Sequence, residues 1–520
     1  MQTRATRTQG ARRIQKASTN LLKGEVFMTE KKPLPRCTPE QAGIPSGAIE
    51  RYLRTLSEGR LALHDVLIAR GGRLCFEAYW KPFDPEFRHR LYSCSKSFVS
   101  VAVGMLIERG QLALNDRCVD FFPDKAPREM SPYLREMTIR DLLMMATCYQ
   151  HGASYKPTDP DWEATFFTSP VTHKAGQVFS YCTTATTMLC MIIRRVSGQE
   201  FMGVLRPVFD EIGISEEAFC VETPCGHEWG GSGVCLTAHE FMKFACLMTS
   251  YGSYEGRHLQ PEGYLREATR SQIDNGTDHD TPDTETGYGY QFWPMRNGGF
   301  AMRGMGGQFA LCLPDRQLTV ITNGYDELSS TERVQIFDSY WRDLVASLSD
   351  APLPEDAEAL QSLNAFAQTL ELPCPLGEKH ADIEGSVGGR TYAMDENPLG
   401  ITRLRFDFAG DGGTLSYANA TGRHELRFAL GGQLETVFPE THYYGRRIGV
   451  PSGKPYHVFV SAAWPNGHQL RIDCHVVDVH LATLRMVFSF DGDTVTLFSR
   501  KHAEWFMDEY QGFASGRAVD

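Results

Sequence analysis

Two side chains three residues apart offer the first chemistry in this sequence. Ser93 and Lys96 stand in the stretch Leu91-Tyr92-Ser93-Cys94-Ser95-Lys96-Ser97-Phe98. The apolar residues after them, Val99, Ala102, Val103, Leu106 and Ile107, recur at helical spacing and stop at Gly110. That spacing predicts a helix beginning near Ser93. On a helix, residues three apart share a face, and a hydroxyl at the first turn lies at the positive end of the backbone dipole. A serine hydroxyl beside an amine in that setting is one way to make a weak nucleophile attack a carbonyl. The pattern Ser-x-x-Lys is short, however, and a solvated lysine one turn after an N-capping serine has the same spelling. The rest of the chain decides its weight.

The elements that must position this pair come in a mixed order. Val66–Arg70 and Leu74–Tyr79 predict a hairpin across Gly71-Gly72, and a short helix is predicted before it, from Thr38 to Leu56. After the Ser93 helix, Thr138 opens a second helix and Met188–Val196 lies in a third, ended by Gly198. Gly287–Trp293 and Gly299–Arg303 read as neighbouring strands. Gly306–Leu313 and Leu318–Asn323, joined by Pro314-Asp315-Arg316, complete an antiparallel meander before a helix from about Thr331 to Leu348. Strands at both ends with helices between them indicate an α+β domain: an antiparallel sheet flanked by helices, with a helical subdomain inserted, over residues 38–350.

Asp350-Ala351-Pro352-Leu353-Pro354-Glu355-Asp356 reads as the start of a linker over 351–375. Beyond it, residues 376–520 change period. Leu404, Phe406 and Phe408 alternate with charged residues, as do Leu426, Phe428 and Leu430, then Leu470, Ile472 and Cys474, then Leu484, Met486, Phe488 and Phe490. This is an all-β domain, a barrel or sandwich, with no chemical constellation; packing is its default role and a ligand-binding barrel the alternative. Residues 1–37 read as a disordered leader. Met28 is a second possible start, and a basic targeting segment is the other reading of the Arg-rich stretch before it.

Three segments now fall in order: Ser93-Cys94-Ser95-Lys96, then Tyr181-Cys182-Thr183, then Arg303-Gly304-Met305-Gly306-Gly307-Gln308. Their order and separation resemble the serine β-lactamase and penicillin-binding-protein superfamily. The likeness is closer to its class C-like branch of esterases, D-amino-acid peptidases and 6-aminohexanoate-dimer hydrolases. Thr138–Leu143, Lys174–Tyr181, Gly230-Gly231-Ser232-Gly233 and Gly287–Tyr290 resemble the same branch. The resemblance implies that Ser93 is acylated, that Lys96 is its base partner and that Tyr181 shares the proton relay and protonates the leaving group. It implies an oxyanion hole made by the backbone N–H groups of Ser93 and Met305. Substrate would lie against Thr183, Arg303 and Gly304, the glycine allowing close approach to a strand edge. Two departures stand out. The family's Tyr-x-Asn is here Tyr181-Cys182-Thr183, and its Lys-Thr-Gly or His-x-Gly is here Met302-Arg303-Gly304. Both features serve β-lactam recognition, so the expected activity is that of an esterase or amidase acting poorly or not at all on penicillins, with a D-amino-acid peptidase or acyltransferase using the same acyl-enzyme, or a non-catalytic binding protein on this scaffold, as the alternatives.

Other candidates carry less. Tyr149 and Trp162 suit either an acyl pocket or simple loop packing. His151, His173 and His227 belong to no metal-ligand motif, and Cys94 and Cys182 have no paired histidine motif. No metal and no cofactor is expected. A net charge of −12 argues against nucleic acid as a partner, and no apolar run reaches the length of a membrane span. The expected partner is a small ester or amide. Fourteen cysteines scattered without Cys-x-x-Cys, and no secretory signal, lead to the expectation of a cytoplasmic protein. Oligomeric state and natural substrate are not written in the sequence.

Overall fold

The computed structural model describes residues 32–150, 152–153, 155–276, 283, 286–325, 330–502 and 506–519, with side chains from 334 on in the helix that begins at 330. The predicted leader over 1–37 therefore lies outside the described residues except for 32–37. The chain divides into two compact units, one ending at Glu371 and the other beginning at Leu372.

The first unit is built on a six-stranded antiparallel sheet. Helix α1 (Ser46–Glu58) precedes strands β1 (Leu63–Arg70) and β2 (Arg73–Tyr79). After a long helical insertion the chain returns as β3 (Trp293–Pro294), β4 (Phe300–Gly304), β5 (Gln308–Leu313) and β6 (Leu318–Gly324). The sheet order is β2-β1-β6-β5-β4-β3. β1 thus pairs with a strand some 250 residues later in sequence, in the register Val66↔Thr322 and Ile68↔Val320. β1, β5 and β6 are buried along almost their whole length, as strands covered on both faces must be. The insertion supplies α2 (Ser95–Glu108), α3 (Thr183–Ser197) and α4 (Ala238–Thr249), of which α4 packs on β1, β5 and β6. α2 is buried from Ser95 to Leu106 on every side, so it is the central helix of the cluster rather than an amphipathic surface one.

Three sequence expectations change. Ser93 does not open the α-helix; it lies in a 3₁₀ turn, Tyr92–Cys94, and α2 begins at Ser95. Of the predicted Gly287–Trp293 strand only Trp293 joins the sheet, together with the next residue, Pro294, because Gly287 (φ 87°) and Gln291 (φ 64°) turn the backbone out of extended geometry. The predicted linker is no bare connection. Residues Ala357–Ala367 form helix α5, N-capped by the Asp356 carboxylate, which accepts the Ala359 N–H at 3.0 Å. α5 packs on α1, with Leu363 fully buried and Arg54 stacked 4.1 Å from the Phe366 ring centroid. Upstream, Leu353 N–H donates to the Glu40 carbonyl. The Pro-rich stretch therefore belongs to the first unit.

The second unit closes on itself. β7 (Thr391–Met394), β8 (Arg403–Phe408), β9 (Gly412–Asn419), β10 (Gly422–Leu430), β11 (Leu434–Phe438), β12 (Tyr456–Asn466), β13 (Gln469–Val476), β14 (Ala482–Asp491), β15 (Thr494–His502) and β16 (Gly512–Ala518) run in the order β10-β9-β8-β7-β16-β15-β14-β13-β12-β11. A parallel pairing of β10 with β12 at Ala429↔Ser461 and Leu430↔Ala462 completes a nine-strand closed barrel, with β11 beside β12. Of the two forms left open by the alternation, the chain takes the barrel, in which each of the nine ring strands pairs with two neighbours. Leu404, Phe406, Leu426, Ile472, Leu484 and Phe488 fill its interior. The remaining cavity is about 10 Å³, about the size of one water, so among the described residues the barrel interior is a packed core. No described helix is long and apolar enough to cross a membrane.

Candidate active site

The strand Arg88–Arg90 pairs with Val234–Thr237 and delivers the chain into the turn that carries Ser93. Leu91 N–H donates to the Val234 carbonyl and Val234 N–H donates to Ser95 Oγ, which fixes both ends of the turn. Between them Tyr92 has φ 46°, a left-handed conformation uncommon outside glycine and held only where the surroundings determine it. Here the Arg90 guanidinium covers the Tyr92 ring at 4.4 Å and binds the carbonyl and hydroxyl of Ser232. This sharp turn sets Ser93 ahead of α2, with Lys96 on the first turn of the helix. Lys96 is buried and its Nζ donates to Ser93 Oγ at 3.0 Å and to the Gly231 carbonyl at 2.5 Å. The predicted hydroxyl–amine pair is thus in direct contact, with the Gly-rich loop anchoring the amine.

Tyr181 approaches from the residue before Cys182, the N-cap of α3. Lys96 Nζ lies 5.1 Å from its ring centroid. The ring stacks on Trp293 (5.8 Å, 24°) and meets Tyr288 edge-on. Its backbone is bracketed by Met145: Ser180 N–H donates to the Met145 carbonyl at 2.9 Å and Cys182 N–H to Met145 Sδ at 3.2 Å. Thr183 opens α3 beside the same loop; a Cβ placed on Gly231 would lie 2.7 Å from Thr183 Cγ2.

The end of β4 forms the third side. Gly304 lies so close to the Ser93 turn that a Cβ there would meet the Leu91 carbonyl oxygen at 2.4 Å and Cys94 N at 3.3 Å. Met305 follows, partly exposed, in a turn where Gly306 and Gly307 both take positive φ. Gln308 holds that turn. Its Nε2 donates to the carbonyls of Met305 (2.7 Å) and Gly324 (2.8 Å), while its Oε1 accepts the Gly324 N–H at 3.0 Å. Met302 is fully buried. Arg303 is 9% exposed and packs between two rings, 4.4 Å from Trp293 and 5.8 Å from Phe337.

The structure therefore brings the segments carrying Ser93, Lys96, Tyr181, Thr183, Gly304 and Met305 together and stacks Arg303 on Trp293. Tyr149 and Trp162 lie within the core. The Tyr149 hydroxyl donates to the Phe166 carbonyl, and Trp162 stacks on Tyr155 with its Nε1 on the Lys156 carbonyl. Their part in the structure is packing. His151 lies outside the described residues; His173 contacts Thr172 and His227 contacts Glu200. Among the described residues no group of three or more His, Cys, Asp or Glu is placed to hold a metal ion. Burial pushes the Cys94 thiol well above its ordinary pKa despite the nearby charges of Lys96 and Arg303, which keeps it a poor nucleophile. Arg90, Met145, Gln291 and Gln308 support the site without standing out in the sequence. Only the last two lie inside stretches that carry the family resemblance or directly follow one.

Sheet, inserted helices and this grouping together define an α+β domain of the β-lactamase type. The Beta-lactamase family model matches residues 40–324, over half of the chain, and the chain belongs to that family. Over 252 residues it is 23% identical to the 6-aminohexanoate-dimer hydrolase of Paenarthrobacter ureafaciens, a match covering 44% of this chain and 64% of that protein. Among solved structures it is similar to a Bacillus anthracis protein provisionally described as a 6-aminohexanoate-dimer hydrolase. That match has TM-score 0.51 and 18% identity, covering 63% of this chain and 90% of the other. It is also similar to a penicillin-binding protein homologue from Caulobacter crescentus, with TM-score 0.47 and 17% identity, covering 60% of this chain and 99% of the other.

Proposed function

We propose that this chain is a serine hydrolase that cleaves a small ester or amide through an acyl-enzyme on Ser93. One contact carries the reading: Lys96 Nζ sits 3.0 Å from Ser93 Oγ, within reach for proton transfer. In the proposed sequence Lys96 takes the Ser93 proton as Oγ attacks the substrate carbonyl. The backbone N–H groups of Ser93 and Met305 receive the developing oxyanion. Tyr181, whose ring borders the same amine, passes the proton to the leaving alcohol or amine. Water then attacks the acyl-enzyme by the reverse relay. Gly304 lets the acyl group lie against the β4 edge, and Thr183 offers one hydroxyl at the opposite wall. The name of one relative, a 6-aminohexanoate-dimer hydrolase, is consistent with this substrate range.

Short-chain activated esters are the expected good substrates and penicillins or cephalosporins the poor ones. The test compares kcat/KM for p-nitrophenyl butyrate with that for a chromogenic cephalosporin, alongside Ser93→Ala. The expected result is ester turnover that Ser93→Ala abolishes, with an acyl adduct on the wild type by intact mass. An adduct on Ser93→Ala, an ester rate no higher than that of this variant, or a preference for the cephalosporin would overturn the reading.

A further inference from the structure

Gln291 follows the Gly287-Tyr288-Gly289-Tyr290 stretch, and it is bonded to α2, to α3 and to the segment behind Tyr181. It is 2% exposed and has φ 64°, a conformation that a side-chain-bearing residue keeps only when its neighbours over-determine it. Four sets of bonds do so. Its backbone carbonyl accepts Ser97 Oγ at 2.7 Å, and Ser97 is the residue after Lys96 on α2. Its side-chain Oε1 accepts Thr186 Oγ1 at 2.5 Å, and Thr186 lies in the first turn of α3, five residues after Tyr181. Its Nε2 donates to the carbonyls of Leu142 (3.1 Å) and Leu143 (2.8 Å), and its N–H to Leu143 as well. Those two residues end the helix Ile139–Leu143, two positions before Met145, which brackets Tyr181 through Ser180 and Cys182.

We infer that Gln291 is a positioning residue that sets the separation between Lys96 and Tyr181. Three facts combine. Lys96 lies on α2 and Tyr181 just ahead of the N-cap of α3, with no covalent link shorter than 85 residues of chain. Lys96 Nζ lies 5.1 Å from the Tyr181 ring centroid, so a small shift of either segment changes how amine and tyrosine meet, and geometry of that kind governs rate. And one buried residue bonds to α2 through its backbone carbonyl and, through its side chain, to α3 and to the segment behind the tyrosine. The left-handed backbone turns the Gln291 carbonyl towards α2 while its side chain reaches α3, which an extended residue continuing a strand would not do. This deepens the proposed serine-hydrolase reading and rests on it.

The test uses the full chain and p-nitrophenyl butyrate. Gln291→Met keeps length and removes the amide; Thr186→Val and Ser97→Ala each remove one arm. Gln291→Met should lower kcat on the order of 10- to 100-fold with KM changed less than threefold, and should move the acid limb of the pH–kcat profile, which loss of stability alone would not do. Thr186→Val should lower kcat by less, and should add nothing further in the Gln291→Met background, because its partner is already gone. A folded Gln291→Met with wild-type kcat and pH profile, or one that raises KM alone, overturns the inference while leaving Ser93 chemistry standing. If Gln291→Met does not fold, Thr186→Val and Ser97→Ala decide: both at wild-type kcat overturns it. A wild type that neither turns over ester nor forms an adduct at Ser93 overturns the site reading and this inference together.

Discussion

Gly304→Ala is the sharpest perturbation of the proposed site, because it adds one methyl and touches no reacting group. The new Cβ would stand 2.4 Å from the Leu91 carbonyl oxygen, 3.0 Å from Gln308 Cβ and 3.3 Å from Cys94 N. Two of these neighbours are backbone atoms of the turn that carries Ser93, so no flexible side chain can swing aside. The first contact is about 1 Å short of ordinary van der Waals distance. β4 and the nucleophile turn must therefore separate by a large part of that, and the Met305 N–H moves with β4 relative to Ser93. Misplacing a reacting group by about 1 Å costs on the order of 100-fold, and loss of one oxyanion donor costs about 10²–10³ in kcat, or about 2.7–4 kcal/mol. Stability suffers less. Overpacking costs about 1–3 kcal/mol, while a Gly→Ala change stiffens the unfolded chain and returns about 0.4–1 kcal/mol. The expected outcome is a folded protein, by near-ultraviolet circular dichroism, whose kcat for p-nitrophenyl butyrate falls about 10²–10³-fold, with Ser93 labelling by a fluorophosphonate slowed in parallel. Gly263→Ala, where an added Cβ meets nothing within 4 Å, is the control and should match wild type. A folded Gly304→Ala within threefold of wild-type kcat would refute the placement of the oxyanion hole between β4 and the Ser93 turn.

Three further outcomes are expected. Gln308→Met leaves the Met305 and Gly324 carbonyls without their buried donor, so thermal melts should report a loss of about 2–4 kcal/mol and kcat should fall with it; an unchanged melting temperature would count against the clamp. Burial lifts the Asp65 carboxyl from 3.8 to about 7 against the opposing bonds from Asn323, and burial lowers the His89 imidazole from 6.5 to about 3. Asp65 thus makes folding less favourable as pH rises from about 4 to 7, since the unfolded chain then holds fewer protons, whereas His89 makes it less favourable as pH falls below about 6.5; the two oppose, so Asp65→Asn should melt progressively lower from pH 6.5 to 4 than wild type does over the same range, and parallel curves would refute the assignment. Phe488→Ala, at a fully buried barrel position, should cost the barrel about 3–5 kcal/mol in denaturant unfolding, and a loss under 1 kcal/mol would mean the interior is not packed there.

How much of this was legible in the sequence depends on how local the cause is. The hairpin β1–β2, the meander Gln308–Leu313 to Leu318–Gly324 and the barrel alternation could be read because period and turn residues act within a few positions. Leu404, Phe406, Leu426, Phe428, Ile472 and Phe488 all proved to face inward. The contact of Ser93 with Lys96 followed from three-residue spacing, although the 3₁₀ turn did not, because the left-handed Tyr92 is imposed by Arg90 and Ser232, the latter 140 residues away. The Gly287–Trp293 stretch has the composition of a strand, but long-range bonds to Ser97, Thr186 and Leu143 bend it at Gln291. Helix α5 was masked by its neighbours: Pro352 and Pro354 look like linker chemistry, while Leu360, Leu363 and Phe366 make too short an apolar stripe to outweigh them without α1 to pack on.

The place of Arg303 bears on substrate choice. The family resemblance placed Arg303 among the residues against which substrate would lie. In the structure Met302 turns into the core, and Arg303 stacks on Trp293, the same ring on which Tyr181 lies. To bind a substrate carboxylate in the cleft, the guanidinium would have to leave a nearly buried stack worth about 0.5–2 kcal/mol and remove support from beneath the relay tyrosine. Carboxylate recognition and proton transfer would then draw on the same ring. A neutral ester makes no such demand, since its acyl group needs only the approach that Gly304 leaves open and the N–H groups that flank it. On the proposed chemistry, selectivity for neutral acyl groups over β-lactams therefore follows from where Arg303 is held, and not only from the asparagine and lysine that the motifs lack.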